Sequence, residues 1–312
     1  MPLLIGIDEA GYGPVLGPLV VSAACFESPG DAADGDLWEP LAPAVARTRH
    51  EAAGRVVVAD SKAVYSTKQG LATLEKSVLA FLAAARGRHA CFRDLLASLC
   101  DDHEALSGEA WWQDSPLPVS AESAEIFSSA ARIADAPGGV RFLGIHTQVV
   151  PAGPFNQLIG RHGNKSVLLF QQNMILAERA MASYGGDLHF IADKHGGRHY
   201  YGPLLAANFF GSTLRTLHES PKISSYEVAL PSRTLRFDFV EKADRAHLPV
   251  ALASMACKYV RELFMMCFNA YWCGRVDGLK PTAGYAVDSE RFIAAIRPLF
   301  GEADEEKIIR QC

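Results

Sequence analysis

Two adjacent carboxylates, Asp8 and Glu9, follow a short apolar run from Leu3 to Ile7. They precede Ala10-Gly11-Tyr12-Gly13-Pro14 and a second apolar run, Pro18 to Cys25. The pattern predicts a strand, a glycine turn and a strand, because glycine accepts positive φ at little cost. The turn does not require the acids. Like charges at the end of a buried strand repel and raise a pKa unless a cation is present, and metal binding would remove that conflict. Two more acids stand at predicted element ends. Asp193 follows the apolar run Leu188 to Ala192, and Asp244 lies in Lys242-Ala243-Asp244 ahead of a long helix. Taken singly, Asp193 reads as a turn acid before Gly196-Gly197, and Asp244 as a helix N-terminal acid facing the macrodipole. Together the acids point to Mg²⁺ or Mn²⁺, hard ions that take oxygen ligands and complete their shell with water and phosphate. Two such ions about 4 Å apart activate a water and stabilise the leaving oxygen of an in-line phosphoryl displacement.

The elements that must position these acids alternate between strand and helix. A polar loop is expected over residues 28–42, and a strand over Arg55 to Ala59 that ends at Asp60-Ser61-Lys62. A helix is expected from Ser66 or Thr67 to about Ala85, with Leu71, Leu74, Val78, Leu79 and Leu82 on one face. Residues 90–140, which contain Trp111 and Trp112, carry no nameable motif and read as an insertion, either a lid or a subdomain. Further on come a strand from Phe142 to Val150 and a helix from Ser166 to Tyr184 ended by Gly185-Gly186. Leu188 to Ala192 is another buried-type strand, and residues 225–230 and 234–240 read as a hairpin. A long helix is expected from about Pro249 to Tyr271, and a last one from Asp288 or Ser289 to about Pro298. Residues 302–312 read as a short terminal helix or a frayed tail. The expected class is α/β: a single domain over residues 1–312, with a mixed sheet flanked by helices and a C-terminal helical part at 249–312.

Composition narrows the class further. A chain of 312 residues that is 49% hydrophobic and 21% charged buries a full core and is not disordered. A net charge of −5 excludes a broad polyelectrolyte surface, though not one basic groove. The seven cysteines are scattered without a CxxC pair, so neither a disulfide framework nor a thiolate zinc site is indicated. The most apolar stretch, Val250 to Trp272, is interrupted by Lys258, Arg261 and Glu262 and does not read as a membrane span. With Met1 leading straight into a strand, the chain reads as cytoplasmic, and as a monomer.

The segment Gly6 to Pro18 resembles the N-terminal signature of ribonuclease HII, usually GIDEAGRGPVxGP. Val58-Ala59-Asp60-Ser61-Lys62 is similar to the family's DSK segment. Glu241 to Asp244, Pro249-Val250 and Ala253 to Glu262 resemble its KAD…PV…ASIxAKxxRD block, and Ala283 to Asp288 its GSGYPSDP segment. The resemblance implies a ribonuclease H-like fold and an endonuclease that cuts the RNA strand of RNA–DNA hybrids or DNA at embedded ribonucleotides. It implies four carboxylates holding Mg²⁺ or Mn²⁺: Asp8, Glu9, Asp193 and Asp244. It also implies substrate contacts at Gly11, Tyr12 and Gly13, at Lys62 near the scissile phosphate, at Ser254 and Lys258 on the supporting helix, and at Tyr285 against the ribonucleotide junction.

The departures from that pattern bear on substrate choice. Tyr12 stands where the motif has arginine, which removes a bidentate cation from the ribose loop. Glu262 replaces aspartate, Cys257 replaces alanine, and Asp193 is followed by lysine where the family has glycine. Alternatives are a nuclease of this fold acting on structured DNA or RNA, and a silent hybrid-binding protein. A zinc site from His189, His195 and His199 is weaker, because Gly196-Gly197 interrupts the helical spacing. Trp111 and Trp112 suit packing better than base stacking.

Overall fold

The computed structural model describes residues 3–29 and 36–311. Residues 30–35 of the expected loop, and Cys312, lie outside the described residues. The strands are β1 (Leu3–Ala10), β2 (Leu19–Glu27), β3 (Val45–Ala46), β4 (Val56–Val57), β5 (Arg141–Val150), β6 (Leu188–Asp193), β7 (Thr213–Glu219), β8 (Ile223–Leu230) and β9 (Arg233–Val240). The helices are α1 (Ser61–Val64), α2 (Ala72–Arg86), α3 (Phe92–Leu99), α4 (His103–Leu106), α5 (Ser123–Ala134), α6 (Ala152–His162), α7 (Lys165–Ser183), α8 (Gly202–Asn208), α9 (Ala243–Ala246), α10 (Leu248–Cys273), α11 (Ala286–Ile296) and α12 (Glu302–Ile308).

Seven strands form one mixed sheet in the order β5-β2-β1-β6-β9-β8-β7. Its middle three, β1, β6 and β9, are parallel neighbours, and the flanking pairs are antiparallel. Leu3 to Asp8 are all buried, as expected of a strand covered on both faces. One face packs Leu4, Val20, Ala24 and Ile191 against α2 and α10, and the other packs Ile5, Ile7, Val21 and Phe190 against α7. Helix α10 is apolar almost all round and lies buried across the sheet.

The chain between α2 and β5 packs into the body of the fold. Its helices α3 and α5 join the same hydrophobic cluster as α2 and α10, with Trp111 edge-on to Phe264 and Phe268, and Trp112 stacked on Phe92. Glu75 on α2 ties that segment down. Its buried carboxylate accepts the amides of Val119 (2.8 Å), Ser120 (2.7 Å) and Ala121 (2.7 Å) and the Tyr259 hydroxyl (2.8 Å).

Some expected boundaries move. β1 runs through Ala10, so Asp8 and Glu9 belong to the strand and not to the turn. The expected strand over 55–59 shrinks to Val56–Val57, paired in parallel with Val45–Ala46. Helix α2 starts at Ala72, because Gly70 takes a left-handed turn (φ 73°) and breaks the run from Ser66. Asp288 does not cap the last helix; it lies in the first turn of α11, and its carboxylate accepts from the Thr282 hydroxyl (2.6 Å) and the Ala283 amide (3.0 Å).

Candidate active site

Three parallel strands side by side end on the same edge of the sheet, where crevices form in open α/β sheets. Ile7 pairs with Ala192, and Ala192 with Phe239, so Asp8 and Asp193 leave neighbouring strands at the same level. After β9, Lys242 takes a left-handed conformation (φ 56°) and swings the chain back over the sheet. The Ala243 amide then donates to the Asp193 carboxylate at 3.0 Å, and Asp244 follows in α9. The four acids singled out in the sequence come from three strand ends to one place.

They act on one another electrostatically. Burial pushes the Asp8 carboxyl well above its ordinary range, and the charges of Glu9 and Asp193 add to this; bonds from Ser254 and the Glu9 amide oppose it. Glu9 is pushed up to about 7 by burial and then by Asp193, against the pull of Lys62. Asp193 is raised by burial and restrained by three backbone amides. Asp244 is raised to about 6 by burial, by Asp60 and by Asp193. Such a set is uncomfortable at neutral pH without a cation. Among the described residues, no three His, Cys, Asp or Glu side chains stand close enough to clasp an ion. The donors are oxygens only, which fits a hard divalent cation.

The residues behind the acids fix their placement. Ser254 is buried beneath Asp8, bonded to its carboxylate and within 3.1 Å of the Ser61 hydroxyl. It supports Asp8 and does not line the open cleft. The Cys257 thiol donates to the Asp8 carbonyl at 3.0 Å. Asp60, which heads the DSK segment beside Lys62, also reaches the acids, although the sequence pattern does not single it out. Its carboxylate caps α1 through the Lys62 amide (2.9 Å), sits 3.5 Å from Arg245 and meets the Asp244 carboxyl. No spacing rule connects residues 60 and 244; only folding does.

A cleft of about 700 Å³ opens from Glu9 toward Tyr285. Gly11, Tyr12, Gly13, Lys62, Lys258 and Tyr285 all line it, with Tyr65, Glu262 and Met266 between them. Lys62 and Tyr285 are exposed. Lys258 is held by Glu262 at 2.5 Å, with its ammonium 4.7 Å from the centre of the Tyr65 ring, and Tyr65 donates to the other Glu262 oxygen at 2.7 Å. The Tyr285 loop docks on the glycine loop, since the Gly284 carbonyl accepts from Val15 (2.8 Å) and Leu16 (3.2 Å). Beneath both loops lies Arg261, 1% exposed, which donates to the carbonyls of Leu16 (3.2 Å) and Ala283 (3.1 Å). Gly11 has to be glycine. Its φ is 87°, and a Cβ there would stand 2.4 Å from the Pro18 carbonyl and 2.7 Å from Arg261 Nε.

The three histidines weighed for zinc do not converge. His189 bonds Asp238 at 2.6 Å, buried His195 bonds Asn173 at 2.8 Å, and His199 is exposed. Tyr12 instead reaches the loop that carries His195, where a Cβ on Gly196 would lie 3.2 Å from its hydroxyl.

No family model matches the sequence, and no curated protein matches it. Solved structures do. The chain resembles ribonuclease HII of Archaeoglobus fulgidus, solved in a complex with PCNA, at 15% identity and a TM-score of 0.50, over 99% of this chain and 94% of that one. Ribonuclease H2 of Pyrococcus horikoshii OT3 aligns at 14% identity and TM-score 0.43, covering 98% and 92%. RNase H3 of Aquifex aeolicus aligns at 14% and 0.43, covering 98% and 71%. The first match shows a shared ribonuclease H-like fold, in agreement with the motifs that resemble ribonuclease HII. No helix among the described residues is long and apolar enough to cross a membrane.

Proposed function

We propose that this chain is a divalent-metal-dependent endonuclease that hydrolyses the RNA strand of RNA–DNA hybrids or cuts duplex DNA 5′ of embedded ribonucleotides. One observation carries the reading: the ends of β1, β6 and β9 bring Asp8, Glu9, Asp193 and Asp244 to one edge, where the charge of Asp193 pushes up the carboxyls of the other three. These four residues would hold Mg²⁺ or Mn²⁺. Bound there, two such ions supply an activated water and charge stabilisation for the leaving oxygen. The chain's own residues do the rest. Lys62, exposed at the cleft and pulling Glu9 toward its charged form, would meet a phosphate. The glycine loop lets backbone come close to a ribose, whose 2′-OH separates RNA from DNA. The exposed Tyr285 offers a ring to the sugar or base at the junction.

A second reading keeps the nuclease and changes the substrate to structured DNA or RNA. Tyr12 favours it, since the loop has an aromatic ring in place of a bidentate cation.

Cleavage of three labelled duplexes in Mg²⁺ and in Mn²⁺ tests both. They are a full RNA–DNA hybrid, DNA with a single ribonucleotide, and all-DNA, each run beside Asp8→Asn. Cutting of the first two that vanishes in the variant is the expected result. A folded, metal-supplied wild type that cuts neither one overturns the first reading.

A further inference from the structure

The glycine loop is gripped from a second side by residues far along the chain. Arg310 is 2% exposed. Its guanidinium donates to the Gly11 carbonyl and, at 3.3 Å, to the Tyr12 carbonyl, while its own amide donates to Val15 at 2.8 Å. Ile309 bridges Leu16 in antiparallel fashion. The guanidinium carbon lies 3.7 Å from the centre of the Phe155 ring, a cation–π stack. Asn156, next along α6, clamps the segment. Its amide nitrogen donates to the carbonyls of Glu306 and Ile309, both at 2.8 Å, and its oxygen accepts from the Gln311 amide at 2.7 Å.

Carbonyls turned into the protein must find donors, and a planar guanidinium can serve two at once where an ammonium serves them poorly. Arg310 therefore does what the loop's own residues cannot. Gly11 and Gly13 bring no side chain, and Tyr12 brings no cation. With Arg261 beneath Leu16 and Arg310 beneath Gly11 and Tyr12, the loop rests on two buried cations and Gly13 faces the cleft.

We propose that Arg310 is a positioning residue: it sets the shape of the Gly11-Tyr12-Gly13 loop and through it the recognition of the ribonucleotide. The part concerning recognition rests on the nuclease reading above. Arg310 itself, being buried, touches no substrate.

The test compares wild type with Arg310→Lys and Arg310→Met. Three quantities are read: melting temperature, hydrogen exchange of the peptide spanning residues 8–18, and KM and kcat on the single-ribonucleotide duplex. Arg310→Lys keeps the charge but loses the planar stack on Phe155 and one carbonyl bond, so it should fold with a melting temperature between those of wild type and Arg310→Met. Exchange in the loop should quicken, and KM should rise about tenfold with little change in kcat, the scale of one lost charge-assisted hydrogen bond. A purely structural role predicts lower melting temperatures with wild-type KM for the folded fraction. Unchanged loop exchange in Arg310→Lys, or faster exchange with unchanged KM, overturns the proposal. If wild type cuts no duplex, the nuclease reading falls, and the exchange rates by themselves decide whether Arg310 shapes the loop.

Discussion

Gly6 and Val250 occupy space that no side chain could share. A Cβ on Gly6 would stand 2.2 Å from the Val250 nitrogen and 2.1 Å from the Pro249 carbonyl carbon. Helix α10 therefore lies with its backbone on the backbone of β1. Asp8 is two residues beyond Gly6 on the same face of the strand, and Ser254 is four beyond Val250 on the same face of the helix. The close approach is what brings Ser254 under Asp8. Gly6→Ala should cost at least about 3 kcal/mol, because backbone cannot repack around an added methyl. Urea denaturation checks it; a variant within about 0.5 kcal/mol of wild type would refute the close approach.

Stability of the metal-free protein should depend on pH through the acids. Glu9 titrates near 7 in the fold against an ordinary 4.5, and Asp244 near 6 against 3.8. Between those limits the folded chain binds more protons than the unfolded one, so these groups lose stability as pH rises from about 4 to 7. Buried His195 and His146, lowered to about 3 and about 4, act in the opposite sense and lose stability as pH falls below 6.5. Glu9→Gln isolates the first effect. It should be more stable than wild type by about 1–3 kcal/mol at pH 8, with the gain fading toward pH 4.5. Added Mn²⁺ should raise the wild-type melting temperature more than that of the variant. Equal melting curves at pH 8 would contradict the acid cluster.

The segment between α2 and β5 is tied down by Glu75. Glu75→Ala would leave three buried amides and the Tyr259 hydroxyl without an acceptor, for a loss of about 3–5 kcal/mol. Tyr259→Phe removes a single donor and should cost about 1–2 kcal/mol. Denaturant midpoints of the two variants test this; similar losses would deny Glu75 its role as the tie.

Tyr12→Arg restores the cation of the resembling motif. Given the nuclease reading, it should raise kcat/KM on the single-ribonucleotide duplex relative to the full hybrid by about tenfold, the worth of one charge-assisted contact. Steady-state rates on the two duplexes supply the ratio. An unchanged ratio would mean that position 12 does not choose the substrate.

Asp8 and Glu9 stand out in the sequence because they end an apolar run that has no local use for two charges; Asp193 and Asp244, each with an ordinary local role, stand out only together and through the motifs around them. The strands β1, β2, β5, β6, β8 and β9 were legible, since apolar runs bounded by turn residues are a local property. The edge strand β7, mostly exposed, and the short helix α8 were not, because they bury few residues and depend on neighbours for pairing or cover.

What the sequence determined by itself is a set of residue types at spacings: glycines able to turn, acids at run ends, one helix too apolar to be anything but buried. What only tertiary structure decided is who meets whom. Asp60 reaches Asp244, Glu75 reaches residues 119–121, and Arg310 reaches the glycine loop across 298 or more positions. Spacing rules extend over a few residues of helix or strand. Contacts made by stacking a parallel sheet against a buried helix follow from packing of the whole chain, which no local pattern encodes.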